Sequence, residues 1–249
     1  MSKPSKSFTS AERNILYEIV FNRRDVRAAF KSDPIGEDEI ARILLAAHHA
    51  PSVGFMQPWN FILIDKQERR QAVHGLFAKA NEEAAEMFND ERRQLYQSLK
   101  LEGLLTAPLH ICVTCNRDRA GPVVLGRTHM LETDIYSTVC AVQNLWLAAR
   151  AENIGVGWVS IFHEEELKSL LNIPDEIVLI AYLTVGYVEK FAETPDLAEK
   201  GWRKRLNLSD LIMQNEWENK ATGALQDALT NELLQFDRGN SNFGKSEPK

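Results

Sequence analysis

The sequence predicts a mixed domain of α/β or α+β type, built as three layers or a sandwich. Two observations carry this: apolar runs of strand length alternate with longer segments of helical period, and no internal repeat is visible. The third is size and composition. A chain of 249 residues, 44% hydrophobic and 26% charged, can bury a sizeable core in one large domain or two small ones.

Taken in order, Thr9-x-x-Glu12 is a capping box, and Ile15, Leu16, Ile19 and Val20 supply a helical stripe that runs up to Arg23-Arg24-Asp25-Val26-Arg27. Acidic Glu37, Asp38 and Glu39 open a second helix whose apolar face is Ile40, Ile43, Leu44 and Ala47, and which must stop before Pro51. Trp59–Ile64 reads as a buried strand. Residues 67–105, rich in Ala, Glu, Gln, Arg and Leu, read as mostly helical, with Gly103 and Pro108 as punctuation. Leu109–Cys115 is a second strand, followed by a polar loop at 116–128. Thr133–Ala151 has a long apolar face and few charges, the pattern of a central buried helix. Residues 154–161 form a strand entered through Gly155 and Gly157. Glu164–Leu171 is a short helix closed near Pro174, and residues 177–188 form an apolar strand containing Gly186. Beyond residue 219, Leu225, Leu229 and Leu233 mark a weak amphipathic segment that packs on a partner subunit or on nothing. The last dozen residues read as disordered.

Several classes of function are disfavoured. A net charge of -6 argues against nucleic-acid binding. No run approaches the roughly 18 apolar residues that span a bilayer, and MSKPSKSFTSAERN lacks the apolar segment of a secretory signal, so a cytoplasmic location is expected. Cys112 and Cys115 form C-x-x-C, but in a strand their sulfurs point to opposite faces and no second pair completes a metal site. Buried core cysteines and no metal are expected. The histidines have no ligand spacing; His48 and His49 are adjacent in a helix and point apart. Phosphate-loop, dinucleotide and hydrolase-elbow signatures are absent, since Gly155-Val156-Gly157 has Ser160 where a third glycine would stand.

Phosphate recognition then falls to arginines. Arg23, Arg24 and Arg27 lie within five residues, with Arg203, Lys204 and Arg205 near the other end. Each guanidinium can hold a phosphate through two parallel charge-assisted hydrogen bonds. Such a clamp suits a mononucleotide such as flavin mononucleotide (FMN). A solvated charge patch is the alternative.

Three blocks carry a resemblance. Arg23-Arg24-Asp25-Val26-Arg27 is similar to the Arg-rich motif of the flavin-dependent nitroreductase superfamily. Residues 50–59 (APSVGFMQPW) resemble its Pro-Ser…Gln-Pro-Trp block. Residues 141–150 (AVQNLWLAAR), running into 155–161 (GVGWVSI), resemble its third, and Gly186-Tyr187 is in keeping with it. The likeness spans about residues 12–218. Within the superfamily the chain most resembles the 5,6-dimethylbenzimidazole synthases: it has Asp25 where Ser is more common, and Gly54 or Phe55 where Asn is common.

The resemblance implies an α+β fold with a central, mostly antiparallel sheet flanked by helices. A nitroreductase-like flavin-binding domain would occupy residues 1–218 and a partly disordered extension 219–249. It further implies an interlocked homodimer with two active sites at the subunit interface. The implied reaction is oxygen-dependent fragmentation of reduced FMN, which is substrate rather than recycled cofactor, to 5,6-dimethylbenzimidazole and erythrose 4-phosphate. Dioxygen is the co-substrate. Electrons come from a flavin reductase or free reduced flavin, with NAD(P)H as indirect reductant. The alternatives are a nicotinamide-dependent flavin reductase or nitroreductase, and a flavin carrier without turnover. Under this reading Arg23, Arg24 and Arg27 hold phosphate and ribityl oxygens, with Arg205 as a second phosphate ligand, and Asp25 and Val26 belong to the same flavin-binding segment. Pro51, Ser52 and Val53 approach the ring edge, and Gly157, Trp158, Val159 and Ser160 line it. Leu99 belongs to a cover at 96–104. Asp25 is the acid/base candidate or else an ion-pair partner orienting Arg24 or Arg27. Ser160 is a hydrogen-bond donor to the flavin or a strand serine satisfied by backbone. Gln57, Pro58 and Trp59 are expected to be structural.

Overall fold

Successive side chains of an extended segment point to opposite faces, so a near-continuous apolar run such as Leu109–Cys115 gives a strand buried on both. The computed structural model describes residues 6–237; the disorder expected of the last dozen residues concerns positions outside these. Contacts divide the chain into two units, residues 22–200 and the described parts of 1–21 and 201–249.

The larger unit holds β1 (Trp59–Ile64), β2 (Leu109–Cys115), β3 (Ile154–Val159) and β4 (Val178–Tyr187) in one sheet of order β1-β2-β4-β3. All three pairings are antiparallel. One face carries Ile111, Val113, Val156, Leu183 and Val185, packed under α2 (Glu37–His48) and α5 (Thr133–Ala151) through Ile43, Ala47, Leu145 and Trp146. The other carries Cys112, Val159 and Tyr182 against α3 (Gln67–Glu86) and α6 (Glu164–Leu171) through Val73, Phe77 and Leu167. This three-layer α+β arrangement has the central antiparallel sheet expected.

The boundaries follow the expected elements with local adjustments. The helical stretch 67–105 breaks after α3 because Asn89 caps a new helix, α4 (Asp90–Ser98), its side chain accepting from the Arg92 amide at 3.2 Å. Strand β3 ends at Val159, so Ser160 lies just beyond it. Short α7 (Asp196–Glu199) closes this unit. Cys112 and Cys115 are buried, and burial pushes the Cys112 thiol up to about 12, which removes thiolate chemistry at neutral pH. Among the described residues no three His, Cys, Asp or Glu side chains cluster as a metal site, and no helix is long and apolar enough to cross a membrane.

In the smaller unit, α1 (Ser10–Asn22) begins at the predicted capping box. The Thr9 amide donates to Glu12 Oε2 at 2.8 Å, and the Glu12 amide to Thr9 Oγ1 at 3.3 Å. The helix buries no residue; Ile15 and Leu16 are exposed. The leucine stripe at 225–233 lies on α8 (Ala224–Asp237), with Leu225 exposed.

An ionic cluster absent from the sequence reading orders the loop before α5. Asp134 is fully buried; its Oδ2 accepts from Arg117 Nε at 3.0 Å and from Arg127 Nη1. Burial opposes ionisation of this carboxyl, but the hydrogen bonds from Arg127 and Arg117 outweigh it and hold the group below the usual carboxylate range. A carboxyl depressed on folding stabilises above its unfolded value and loses that contribution as pH falls through its folded value. Asp134→Asn is therefore expected to cost about 3–5 kcal/mol at neutral pH in denaturant titrations. The gap from the parent should narrow below about pH 4.

Candidate active site

The arginine segment lies against the free edge of β3. Asp25 forms a parallel bridge with Val156, and the Val26 amide donates to the Val156 carbonyl at 3.0 Å. Further on, Phe30 bridges Val188 and the Lys31 amide donates to the Tyr187 carbonyl at 2.8 Å. Glycines make this contact possible. A Cβ built on Gly157 would stand 2.1 Å from the Val26 carbonyl oxygen, and one on Gly103 would stand 2.5 Å from the Phe30 ring. Both sites therefore need a residue without a side chain. The close approach at Gly157 is to the chain's own backbone.

Asp25 uses both carboxylate oxygens. Oδ1 accepts from the Trp158 amide of β3 at 3.0 Å, while Oδ2 accepts from Arg27 Nε at 2.8 Å and lies 2.7 Å from Arg27 Nη2. The carboxylate thus ties a strand amide to a guanidinium and sets the direction of the Arg27 side chain. The remaining nitrogen, Arg27 Nη1, is buried and has no acceptor among the described residues. A buried guanidinium N–H without a partner is costly and calls for an anionic or oxygen-rich ligand.

The three arginines divide their work. Arg23 places its guanidinium 4.7 Å from the centre of the Trp146 ring, a cation–π contact with α5. Arg24 donates to the Arg23 carbonyl at 2.8 Å and to the Glu193 carbonyl, and its own carbonyl accepts from Trp146 Nε1 at 3.2 Å. Arg27 lines a pocket of about 390 Å³ together with Leu99, Lys100, Glu102, Phe77 and Asn81. Arg27 and Leu99, far apart in sequence, are thereby brought to one cavity, and residues 99–103 form one of its walls. Asn81 and Phe77 are lining residues that the sequence did not single out, because a polar helix face at 67–86 has no pattern that marks an inward side chain.

The second block turns tightly after α2. Ser52 Oγ accepts from the Gln57 amide at 3.1 Å, and the Val53 amide donates to Ser137 Oγ at 3.0 Å. Phe55 and Gln57 adopt left-handed backbone at φ 54° and 47°, a strain of roughly 1–3 kcal/mol each that concentrates at functional sites. Arg119 offsets it by donating to the Gln57 and Trp59 carbonyls at 2.7 and 2.9 Å. Gly54 lets Val124 and Leu125 approach, since its Cβ would meet Val124 Cγ1 at 2.6 Å. Trp59 is buried in a small cluster with Ala50 and Ala141, the structural role expected of it. Pro51 is exposed and Ser52 and Val53 are half-buried. Ser160 is exposed just past β3, with Val159 buried and Trp158 half-buried before it. Arg205 lies in the smaller unit with an exposed side chain.

Residues 20–187 match the sequence profile of the Nitroreductase family. This chain belongs to that family. Among nitroreductase-family relatives, a 5,6-dimethylbenzimidazole synthase of Rhodospirillum rubrum is 42% identical over 183 residues, covering 74% of this chain and 86% of the relative. One of Rhodobacter capsulatus is 38% identical over 214 residues, covering 86% of this chain and 100% of the relative. Solved structures share the nitroreductase fold. An iodotyrosine deiodinase bound to FMN and 3-iodo-L-tyrosine superposes with a TM-score of 0.63 at 20% identity, covering 81% of this chain and 98% of the other. A BluB-like flavoprotein of Clostridium difficile 630 does so at 0.61 and 18%, covering 81% and 99%.

The glycine contacts give a stability test. Gly157→Ala should lower stability by roughly 1–3 kcal/mol through overpacking against Val26. Gly75→Ala, a helical site with nothing within 4 Å of a built Cβ, should be stabilising by up to about 1 kcal/mol. Thermal melts of the two variants read the difference.

Proposed function

We propose that this nitroreductase-family enzyme catalyses oxygen-dependent fragmentation of reduced FMN to 5,6-dimethylbenzimidazole and erythrose 4-phosphate, and so supplies the lower ligand of cobalamin. The identity of 42% and 38% to chains named 5,6-dimethylbenzimidazole synthase carries the reading. Asp25, a carboxylate rather than a hydroxyl at the junction of the arginine segment and β3, supports it.

The residues present fit FMN. The buried Arg27 Nη1 needs an oxygen acceptor, and the pocket beside it combines that charge with apolar Phe77 and Leu99, as a ligand with an anionic tail and a flat ring requires. Reduced flavin, when bound, would supply both the carbon skeleton and the electrons that dioxygen takes up. Arg27 would bind phosphate or ribityl oxygens, with Arg23 and Arg24 holding the segment in place through Trp146 and the Glu193 carbonyl. Asp25 would accept and return a proton at the ribityl end of the ligand, its position set by the Trp158 amide and Arg27. Ser160, exposed at the end of β3, would donate a hydrogen bond to the ring system. Pro51, Ser52 and Val53 would meet the ring edge; because the Val53 amide is bonded to Ser137 and the Ser52 and Val53 carbonyls accept from the Phe55 and Met56 amides, side chains would make this contact. Residues 99–103 would exclude water.

A homodimer is part of this proposal, and the larger unit supports it: Phe55, Val123 and Leu125 are 82%, 78% and 85% exposed around the strained turn, an apolar surface suited to a second copy. Electrons would arrive as free reduced flavin or from a flavin reductase that draws on NAD(P)H, in the cytoplasm.

The test is to mix purified protein with excess reduced FMN in air and separate the products by chromatography. Dimethylbenzimidazole should accumulate as flavin disappears. Full recovery of oxidised flavin would sink the reading, and nitroaromatic turnover with a nicotinamide donor would favour a nitroreductase. Asp25→Asn keeps an acceptor for the Trp158 amide but loses the proton acceptor. It should bind FMN and fragment it at least about 100-fold more slowly; loss of binding instead would make Asp25 a positioning residue.

A further inference from the structure

The polar groups lining the Arg27 pocket differ in what they have left to offer. Glu102 Oε2 already accepts from the Leu104 amide, and Thr106 Oγ1 donates to the Gly103 carbonyl at 3.3 Å. Asn81, on α3, is fixed differently. Its Oδ1 accepts from the hydroxyl of Tyr96 at 2.7 Å, and Tyr96 is itself 7% exposed on α4, with its ring 5.0 Å from that of Phe88. With the carbonyl end taken, the two Nδ2 hydrogens have no acceptor among the described residues, while the side chain lines the cavity.

We propose that Asn81 is a ligand-reading residue: its Nδ2 donates a hydrogen bond to an acceptor atom on the ring or ribityl part of the flavin, and Tyr96 holds the carboxamide in the orientation that makes this possible. The inference rests on the reading of this pocket as the flavin site and adds a second polar contact to Arg27. The two contacts differ in kind. Arg27 brings charge and answers an anionic or strongly polar oxygen, whereas a neutral amide hydrogen answers an uncharged acceptor. Tyr96 gives Asn81 a further consequence. It lies two residues before the end of α4, three before Leu99, so the Asn81–Tyr96 bond also anchors the helix that leads into the pocket wall at 99–103.

The experiment measures dissociation constants of oxidised FMN and of riboflavin by flavin fluorescence, for the parent, Arg27→Ala, Asn81→Ala, Asn81→Asp, Tyr96→Phe and the Asn81→Ala/Tyr96→Phe pair. Arg27→Ala should weaken FMN more than riboflavin, which tests the flavin site itself. Asn81→Ala should weaken both ligands by the same factor, about 5–10-fold for one neutral hydrogen bond. Asn81→Asp, which keeps an acceptor for Tyr96 but has no N–H, should weaken them at least as much. Tyr96→Phe should weaken both about threefold in the parent and change nothing further once Asn81 is alanine, a coupling that general loss of stability would not produce. If Arg27→Ala weakens FMN while Asn81→Ala binds both ligands like the parent, Asn81 is not a ligand contact and the flavin site stands. Parent-like binding by Asn81→Asp means that the carbonyl faces the cavity and overturns the proposal. If the parent binds neither flavin, the site and this inference fall together.

Discussion

The contact between the backbone at Val26 and β3 at Gly157 is the constraint on which the site depends. A sheet edge exposes amides and carbonyls that must be satisfied, and here the arginine segment satisfies them over a short stretch. That is possible because no side chain intervenes at Gly157. Once the backbones meet, Asp25 reaches the Trp158 amide, and its other oxygen can take Arg27. Direction passes from a missing methyl group to a strand amide, then to a carboxylate, and finally to a guanidinium with one buried N–H left over. Phe30 seats the same segment a few residues later against Gly103 and Gly186, so the wall of the pocket and the arginine segment share a fixed point.

A second set of charges does similar work for the strained turn after α2. Asp134, Arg117 and Arg127 anchor the loop that passes over Gly54, while Arg119 binds the carbonyls at Gln57 and Trp59. Burying a carboxylate is favourable only with such partners. The cluster therefore converts an otherwise costly buried charge into a rigid frame for the turn. Each half of the candidate site is thus held by a carboxylate paired with arginine, Asp25 in one and Asp134 in the other.

Much of the fold was legible because burial on two sheet faces leaves a strong imprint. The runs at Trp59–Ile64, Leu109–Cys115 and Thr133–Ala151 coincide with β1, β2 and α5. The capping box at Thr9 and Glu12 likewise forms as written, since a cap is a local interaction. The α1 stripe illustrates the limit: its periodicity specifies a helix, but Ile15 and Leu16 are exposed. The clustering of Arg23, Arg24 and Arg27 was equally plain, yet their three different partners were not. Arg23 meets an indole, Arg24 meets carbonyls, and Arg27 meets Asp25.

Residue types and spacings alone determined the family, the alternation of strands and helices, and the placing of one carboxylate, Asp25, among the arginines. These depend on local periodicity and on short blocks that survive in one dimension. Tertiary structure alone decided that Arg27 and Leu99 share a cavity, that Asn81 joins them, and that Asp134 is buried between two arginines. Each of these joins residues from separate elements across a sheet edge or a loop. A charged or polar side chain at such a position has the same local signature whether it faces solvent or a ligand.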